Sequence, residues 1–329
     1  LMQQQGENVL LNWLFSEACE TYQHQGRVLY RYEEPEYPIS LQSDLPYRCR
    51  VIFSSHCSAD IEAWLCSISI NMHIAQLKRQ NDLLGFELSA QVAIDEWIAA
   101  FPQNIAAEIV LIQQPLARLN HPGLLVMDMD STAIQIECID ELAAMAGVGD
   151  EVAAVTASAM RGELDFEQSL RQRVAKLAGA DAAIIKQLCD GLPLMPGIES
   201  MVAELKAHQW KLVVASGGFI PFVEHLKHLL GLDAAYANEL VVINGKLTGE
   251  VTGEVVDAQY KANVIERSAL QWGIASGQRV AIGDGANDIP MIQAADLGLA
   301  FHAKPKLVAA ADAAIDRLDL RALVFCLQA

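Results

Sequence analysis

The sequence predicts an α/β protein in which a parallel-sheet core, interrupted by a helical insertion, follows a small α+β domain. Three observations predict it. Short apolar runs at 124–127, 212–215, 280–282 and 297–300 alternate with helical segments, the sequence form of a parallel sheet covered by helices on both faces. Between the first two runs, about residues 136–195 carry helical periodicity. Ahead of them, residues 49–114 read as β-α-β-β-α-β.

Residues 1–48, rich in Gln, Glu and Tyr, hold one short apolar stretch at 9–15; they predict a helix followed by extended chain in an N-terminal extension. A strand is expected at 51–54, then a helix over 60–72 with Ile61, Trp64, Leu65 and Ile68 at helical spacing. Strands at 74–79 and 84–88 flank the polar turn Gln80-Asn81-Asp82, followed by an amphipathic helix at 92–101 and a last strand at 108–113. This order is ferredoxin-like and is similar to small ligand-binding or regulatory domains of the ACT type. Residues 114–123 (QPLARLNHPG) carry two prolines and a glycine and predict a linker.

The core occupies 122–329 as a Rossmann-like sheet with its helical cap at about 136–195. In the cap, segments 139–146, 151–160 and 165–178 stop at or near Gly147, Gly162 and Gly179, which fit C-caps, and 182–189 is a further helix. Asp165 with Gln168 three residues on resembles a capping box. An insertion at the carboxyl end of a strand lies over the ligand crevice of an open α/β sheet, so it predicts a lid. Asn244-Gly245, between 240–243 and 246–248, marks a hairpin with a type I′ turn.

At 329 residues, with 52% hydrophobic and 19% charged, the chain is sized for roughly two ordered domains. No apolar run reaches the ~20 residues of a membrane span. Leu1 to Gln5 carry neither a basic flank nor an apolar core, so a secretory signal is not expected. Acidic residues number 41 against 23 basic, a net charge of −18, which argues against nucleic acid as the main partner. The same charge repels small anions at long range, so an anionic substrate requires concentrated local positive charge. Seven cysteines without CxxC or a zinc-like pattern fit free thiols in a reducing cytoplasm.

Four segments carry chemistry. Leu124-Leu125-Val126-Met127 runs into Asp128-Met129-Asp130-Ser131-Thr132, two aspartates two apart after a buried strand. An enzyme that forms an aspartyl-phosphate needs one carboxylate as nucleophile and a second as acid/base; a strand-end Asx turn would explain one Asp but not this block. Val214-Ala215 runs into Ser216-Gly217-Gly218, whose backbone N–H groups and hydroxyl suit an anion, although alone Ser-Gly-Gly is a common turn. Lys261 opens a helix over 260–272 and alone would read as a surface lysine. Ile282-Gly283-Asp284-Gly285-Ala286-Asn287-Asp288 ends another strand in acids suited to Mg2+, or in isolation is a solvated loop. Together they supply nucleophile, acid/base, metal and cation, the needs of phosphoryl transfer.

DMDST, SGG, the lone Lys and GDGAND, in that order, resemble the four motifs of the haloacid-dehalogenase-like phosphatases over residues 122–329. Within the insertion, Glu137 to Ala143 (ECIDELA) and Met160 to Val174 (MRGELDFEQSLRQRV) resemble the corresponding segments of the phosphoserine phosphatase family. The resemblance implies Asp128 as nucleophile and Asp130 as general acid/base. It implies Mg2+ held by Asp128, the backbone carbonyl of Asp130 and Asp284, with Asp288 just outside the metal's own ligands. Ser216, Gly217 and Lys261 would bind phosphate, and Asn287 would help position the substrate or the metal's surroundings. Glu137 would face the ammonium of phosphoserine and Arg173 its carboxylate, the guanidinium gripping it bidentately. Met160 and Phe166 would wall the small side of the pocket. Taken alone, these cap residues would read as helix packing and a solvated helix face.

The expected activity is thus Mg2+-dependent hydrolysis of phosphoserine, the last step of serine synthesis, with a small-molecule substrate and neither nucleic acid nor membrane as partner. The alternatives are a phosphatase or phosphotransferase acting on another small phosphomonoester, and a regulatory amino-acid-binding module fused to an inactive core. Intact Asp128, Asp130, Lys261 and Asp284 argue against the last. Residues 49–114 suit serine binding, a homodimer through the N-terminal domain, or packing alone, and the sequence leaves the three open.

Overall fold

Two sheets organise the chain in the computed structural model, which describes residues 9–16, 20–24, 26–34, 45–93 and 95–329. The first contains β1 (Thr21–His24), β2 (Arg27–Glu33), β3 (Tyr47–Ser54), β4 (Met72–Gln76), β5 (Leu83–Ala90) and β6 (Ala107–Leu111). Their spatial order is β1-β2-β4-β5-β3-β6. Helices α1 (Val9–Phe15), α2 (Ser58–Ser67) and α3 (Asp95–Ala99) accompany them. From β3 to β6 the elements follow the β-α-β-β-α-β order, with β3 antiparallel to both β5 and β6.

Two readings change here. The segment before residue 49 is not only helix and extended chain: β1 and β2 form an antiparallel hairpin, and β2 extends the sheet by pairing parallel to β4. Residues 1–8, 17–19, 25 and 35–44 of that extension lie outside the described residues. The helix expected over 60–72 ends at Ser67, because Ile68 is already extended, at φ −76° and ψ 120°. The Ile-Ser-Ile run there favours a strand over a helix. Leu10, Leu14, Ile61, Trp64 and Leu65 bury one face of the sheet.

The second sheet runs β10-β9-β8-β7-β11-β12-β13. Its strands are β7 (Leu124–Met127), β8 (Lys211–Phe219), β9 (Ala234–Ile243), β10 (Lys246–Thr252), β11 (Arg279–Gly283), β12 (Leu297–Phe301) and β13 (Ala313–Ile315). All neighbours are parallel except β10, which returns antiparallel on β9. Asn244 and Gly245, both at positive φ (51° and 74°), make that turn as expected. β7 lies between β8 and β11, which places the three motif-bearing strand ends side by side. Alternate residues of β7 pack on opposite faces: Leu124 and Val126 on one, Leu125 and Met127 on the other.

The cap consists of α4 (Cys138–Met145), α5 (Gly149–Met160), α6 (Phe166–Lys176) and α7 (Ala183–Asp190). The Asp165–Gln168 capping box starts α6, with both reciprocal bonds made. Gly147, Gly162 and Gly179 have φ of 73°, 79° and 84°, the left-handed values that favour glycine after a helix. The core helices are α8 (Ile198–Ala207), α9 (Ile220–Leu230), α10 (Ala258–Trp272), α11 (Ile289–Ala294) and α12 (Pro305–Val308).

The two sheets are joined by buried charge. Arg50 donates to the carbonyls of Phe325 and Leu327, and Arg79 donates to those of Val324 (2.8 Å) and Leu327 (2.6 Å). Glu108 accepts from three consecutive backbone N–H groups, Asp316 to Leu318. Among the described residues no helix is long and apolar enough to cross a membrane.

Candidate active site

The site is built where β7, β8 and β11 end. Asp128 continues the β7 register, its N–H donating to the Ile282 carbonyl at 3.0 Å, and is 4% exposed. Lys261 lies in the first turn of α10, whose N-cap Asp257 accepts through its side chain from Tyr260 N–H at 2.8 Å. That start aims Lys261 inward. Its ammonium donates to Asp128 Oδ1 (2.7 Å) and Asp288 Oδ1 (2.9 Å). Asp288 Oδ2 in turn accepts from Asp284 N–H (3.2 Å) and Gly285 N–H (3.0 Å). Gly283 permits this loop, since a Cβ there would lie 2.5 Å from the Asp288 carboxylate.

Burial sets the electrostatics. It raises the Asp128 carboxyl well above its usual range, with help from Asp288 and against Lys261. Asp130 is pushed up to about 7 by burial and by Glu137, partly opposed by Cys138, whose N–H donates to its Oδ1 at 3.3 Å. Asp284 rises to about 6, from burial, Asp288 and Glu137, while Lys261 and Lys304 oppose. Burial alone would discharge Lys261; Asp128 and Asp288 outweigh it and keep the ammonium protonated.

Carboxylate oxygens of Asp128, Asp284 and Asp288 lie within 4.8 Å of one another. Asp288 has both oxygens committed to Lys261 and the loop N–H groups, so Asp128 and Asp284 are left to meet a cation. Two carboxylates beside a phosphate site is a donor set that fits a small divalent metal ion. The Asp130 carboxylate stands apart from this triad, against α4.

Above the triad opens a cleft of about 560 Å3 between core and cap. Asp128, Asp130, Ser216, Gly217, Asp284 and Asn287 line its core side; Glu137, Met160, Phe166 and Arg173 line its cap side. Lys261 and Asp288 lie beneath, almost wholly buried. Every residue singled out from the sequence is thus brought to this one place.

Local geometry differs from expectation at two points. Ser216-Gly217-Gly218 is not a tight turn before a helix. The strand β8 continues through it to Phe219, irregularly paired with β9, and α9 begins only at Ile220. Ser216 Oγ accepts from Gly218 N–H at 2.9 Å, which leaves its hydroxyl proton to donate elsewhere. Met160, expected as a wall, is 77% exposed at the mouth of the cleft. Phe166 does reach across, since a Cβ on Gly217 would lie 2.8 Å from its ring. Ser131, at φ 57°, reverses the chain after the two aspartates, and its hydroxyl donates to Glu137 Oε1 at 2.8 Å. Arg173 Nε donates to the Ser169 carbonyl at 3.4 Å, and burial lowers its pKa although Asp140, Glu137 and Asp130 oppose this.

Sequence reasoning passed over Lys304, Asp140 and Ser169, which also line the cleft. Lys304 had a findable signal: it follows β12, a fourth strand of the same sheet, by three residues.

Residues 125–293 match the family model of the haloacid dehalogenase-like hydrolases. The phosphoserine phosphatase of Haemophilus influenzae is 54% identical over 212 residues, covering 64% of this chain and 68% of that protein. That of Vibrio cholerae is 54% identical over 216 residues, 66% of each chain. The chain thus spans about two thirds of the length of these two relatives. Among solved structures, an unliganded probable phosphoserine phosphatase from Vibrio cholerae aligns over 85% of this chain and 86% of that one, with TM-score 0.72 and 42% identity. A substrate-bound phosphoserine phosphatase complex aligns over 63% of this chain and 99% of that one, with TM-score 0.60 and 42% identity.

Proposed function

Because the chain belongs to the haloacid dehalogenase-like hydrolase family, we propose that it hydrolyses O-phospho-L-serine to L-serine and phosphate, as the last step of serine synthesis in the cytoplasm. One observation carries the reading. The buried Asp128–Lys261–Asp288 cluster opens into a cleft whose cap presents both an acid, Glu137, and a guanidinium, Arg173. The identity to phosphoserine phosphatases supports the substrate.

In this reading an Asp128 oxygen attacks phosphorus and forms an aspartyl-phosphate as the bond to the seryl oxygen breaks. Asp130 gives its proton to that departing oxygen. In the second half, Asp130 takes a proton from water, the water attacks phosphorus, and Asp128 is released with inorganic phosphate. A carboxyl lifted to about 7 is suited to both transfers, being neither fully protonated nor fully ionised near neutral pH. Ser216, the Gly217 N–H and Lys261 bind the phosphoryl oxygens, and Asn287 positions the substrate. Asp128, Asp284 and the Asp130 carbonyl would hold Mg2+, which supplies charge neutralisation at the phosphoryl group. Glu137 faces the substrate ammonium and Arg173 its carboxylate, with Phe166 against the methylene and Met160 at the mouth of the cleft.

The test is phosphate release from a panel of small phosphomonoesters, with Mg2+ and with chelator. L-phosphoserine should lead the panel and require the metal. Another ester leading would reassign the substrate while keeping the chemistry.

A further inference from the structure

The substrate of this reading brings a phosphate dianion to a cleft lined by Asp128, Asp130, Glu137, Asp140, Asp165 and Asp284, in a chain of net charge −18. Lys261 cannot offset that wall by itself, because its ammonium is already shared by two carboxylates. Two basic side chains line the cleft: Arg173 on the cap and Lys304 on the core.

Lys304 is set by a rigid loop. It follows β12, the strand beside β11, so the chain returns next to the Asp284 loop. Its N–H donates to the Asp284 carbonyl at 3.1 Å. Upstream, His302 N–H donates to the Ile315 carbonyl at 2.9 Å, and the His302 ring stacks on Phe301 with centroids 4.0 Å apart. The side chain of Lys304 is exposed and lines the same cleft as Asp284. It therefore stands on the same side as the Asp128 nucleophile, opposite Arg173.

We propose that Lys304 is a further substrate-binding residue, a fixed cation at the core rim that draws in and holds the dianionic phosphoryl group while Arg173 takes the far end of the substrate. The inference deepens the functional reading above and rests on it for the phosphomonoester. Its physical basis is focusing: in a cleft with low-dielectric walls, one exposed cation of the right sign raises the local concentration of an anion and its rate of entry.

The test compares Lys304→Met and Lys304→Arg with the parent protein; both keep the N–H that bonds Asp284. Two quantities are read: kcat/KM for L-phosphoserine at low and high ionic strength, and the affinity for inorganic phosphate by calorimetry with Mg2+ present. The Met variant should lose about ten-fold in kcat/KM at low salt, mainly through KM. It should also show a flatter salt dependence, weaker phosphate binding and an unshifted Tm, and the Arg variant should restore most of the loss. Unchanged salt dependence and phosphate affinity in the Met variant overturn the proposal, as does an Arg variant impaired as much as Met. If the parent protein releases no phosphate from L-phosphoserine, the functional reading fails instead. Lys304 is then decided by phosphate affinity alone, where equal affinity in parent and Met variant, or no binding at all, refutes its role.

Discussion

Replacing Lys261 with methionine keeps an unbranched apolar stem and removes the ammonium, with its charge and its two hydrogen bonds, so it reads what that group does for the fold. The ammonium is 1% exposed and stands 2.7 and 2.9 Å from two carboxylates that are themselves 6% and 0% exposed. At an effective dielectric near 20, each pair at such a distance attracts by about 6 kcal/mol before desolvation is subtracted. Breaking a buried pair by deleting one partner costs about 3–5 kcal/mol, because the survivor is left charged and dry. Here two like charges survive and face each other. The metal-free Met variant should therefore be less stable than the parent by at least about 3–5 kcal/mol near neutral pH.

The same geometry gives the variant a pH signature. Asp128 already sits well above the usual carboxyl range even with Lys261 beside it. Without Lys261, the Asp128–Asp288 pair should take up a proton in place of the ammonium. A carboxyl whose folded pKa lies above its unfolded one binds more protons when folded, so stability falls as pH rises between the two values. The deficit should accordingly be larger at mildly alkaline than at mildly acid pH. Urea denaturation with chelator present, followed by circular dichroism, reads both quantities. A deficit below about 1 kcal/mol, or one equal at the two pH values, would refute the reasoning.

Three further outcomes are expected. The metal-free parent protein should itself lose stability as pH rises from the ordinary carboxyl range through about 6 and about 7, where Asp284 and Asp130 ionise, and Mg2+ should raise Tm most at the upper end; a Tm flat in pH and indifferent to Mg2+ would remove the strained acid cluster. Gly217→Ala places a Cβ 2.8 Å from the Phe166 ring and should cost about 1–3 kcal/mol or displace the cap with a rise in KM, whereas unaltered Tm and kinetics would show that the cap does not rest on the core there. Arg173→Ala should weaken turnover of phosphoserine more than that of an aryl phosphate by about 2–5 kcal/mol in kcat/KM, and equal losses on both substrates would show that Arg173 does not read the carboxylate.

The parts of this molecule legible in the sequence are those whose signal is local. Leu124 to Met127 announces a buried strand by composition, and the aspartates after it are chemically conspicuous. Lys261 becomes legible only beside the other motifs, because its burial depends on a helix start 131 residues beyond the end of the β7 strand it reaches under. The β8 extension through Gly217 and Gly218 was not readable, since glycine ordinarily weakens a strand. It is held by a distant residue without any motif: Asn238 Nδ2 donates to the Gly217 carbonyl at 2.8 Å and the Gly218 carbonyl at 3.2 Å. The β1–β2 hairpin was missed for a similar reason. Its alternation is short and polar, and what fixes it is parallel pairing with β4, some forty residues away. Lys304 escaped because its loop carries neither acids nor paired glycines, although its place just after a fourth parallel strand marked it.

The acids of the triad divide their work according to how their charge is satisfied. Asp284 and Asp288 share one short loop, yet Asp288 is wholly buried and takes an ammonium and two backbone N–H groups, while Asp284 stands half-buried on the cleft wall. A carboxylate that already accepts from an ammonium and two N–H groups has little left to give an incoming cation; it fixes the loop that presents its neighbour and the lysine that orients Asp128. Asp284, with burial and two acids against it and Lys261 and Lys304 offsetting them only in part, holds its charge at a disadvantage until a cation arrives. The fold thus tolerates the cluster through Asp288 and Lys261, and leaves open Asp284 and the Asp128 oxygen that Lys261 does not hold, where binding a metal ion and a phosphate stabilises both acids at once. That arrangement explains how a chain so acidic overall can still take an anionic substrate: the cations that matter are few, and they are fixed where the anion must go.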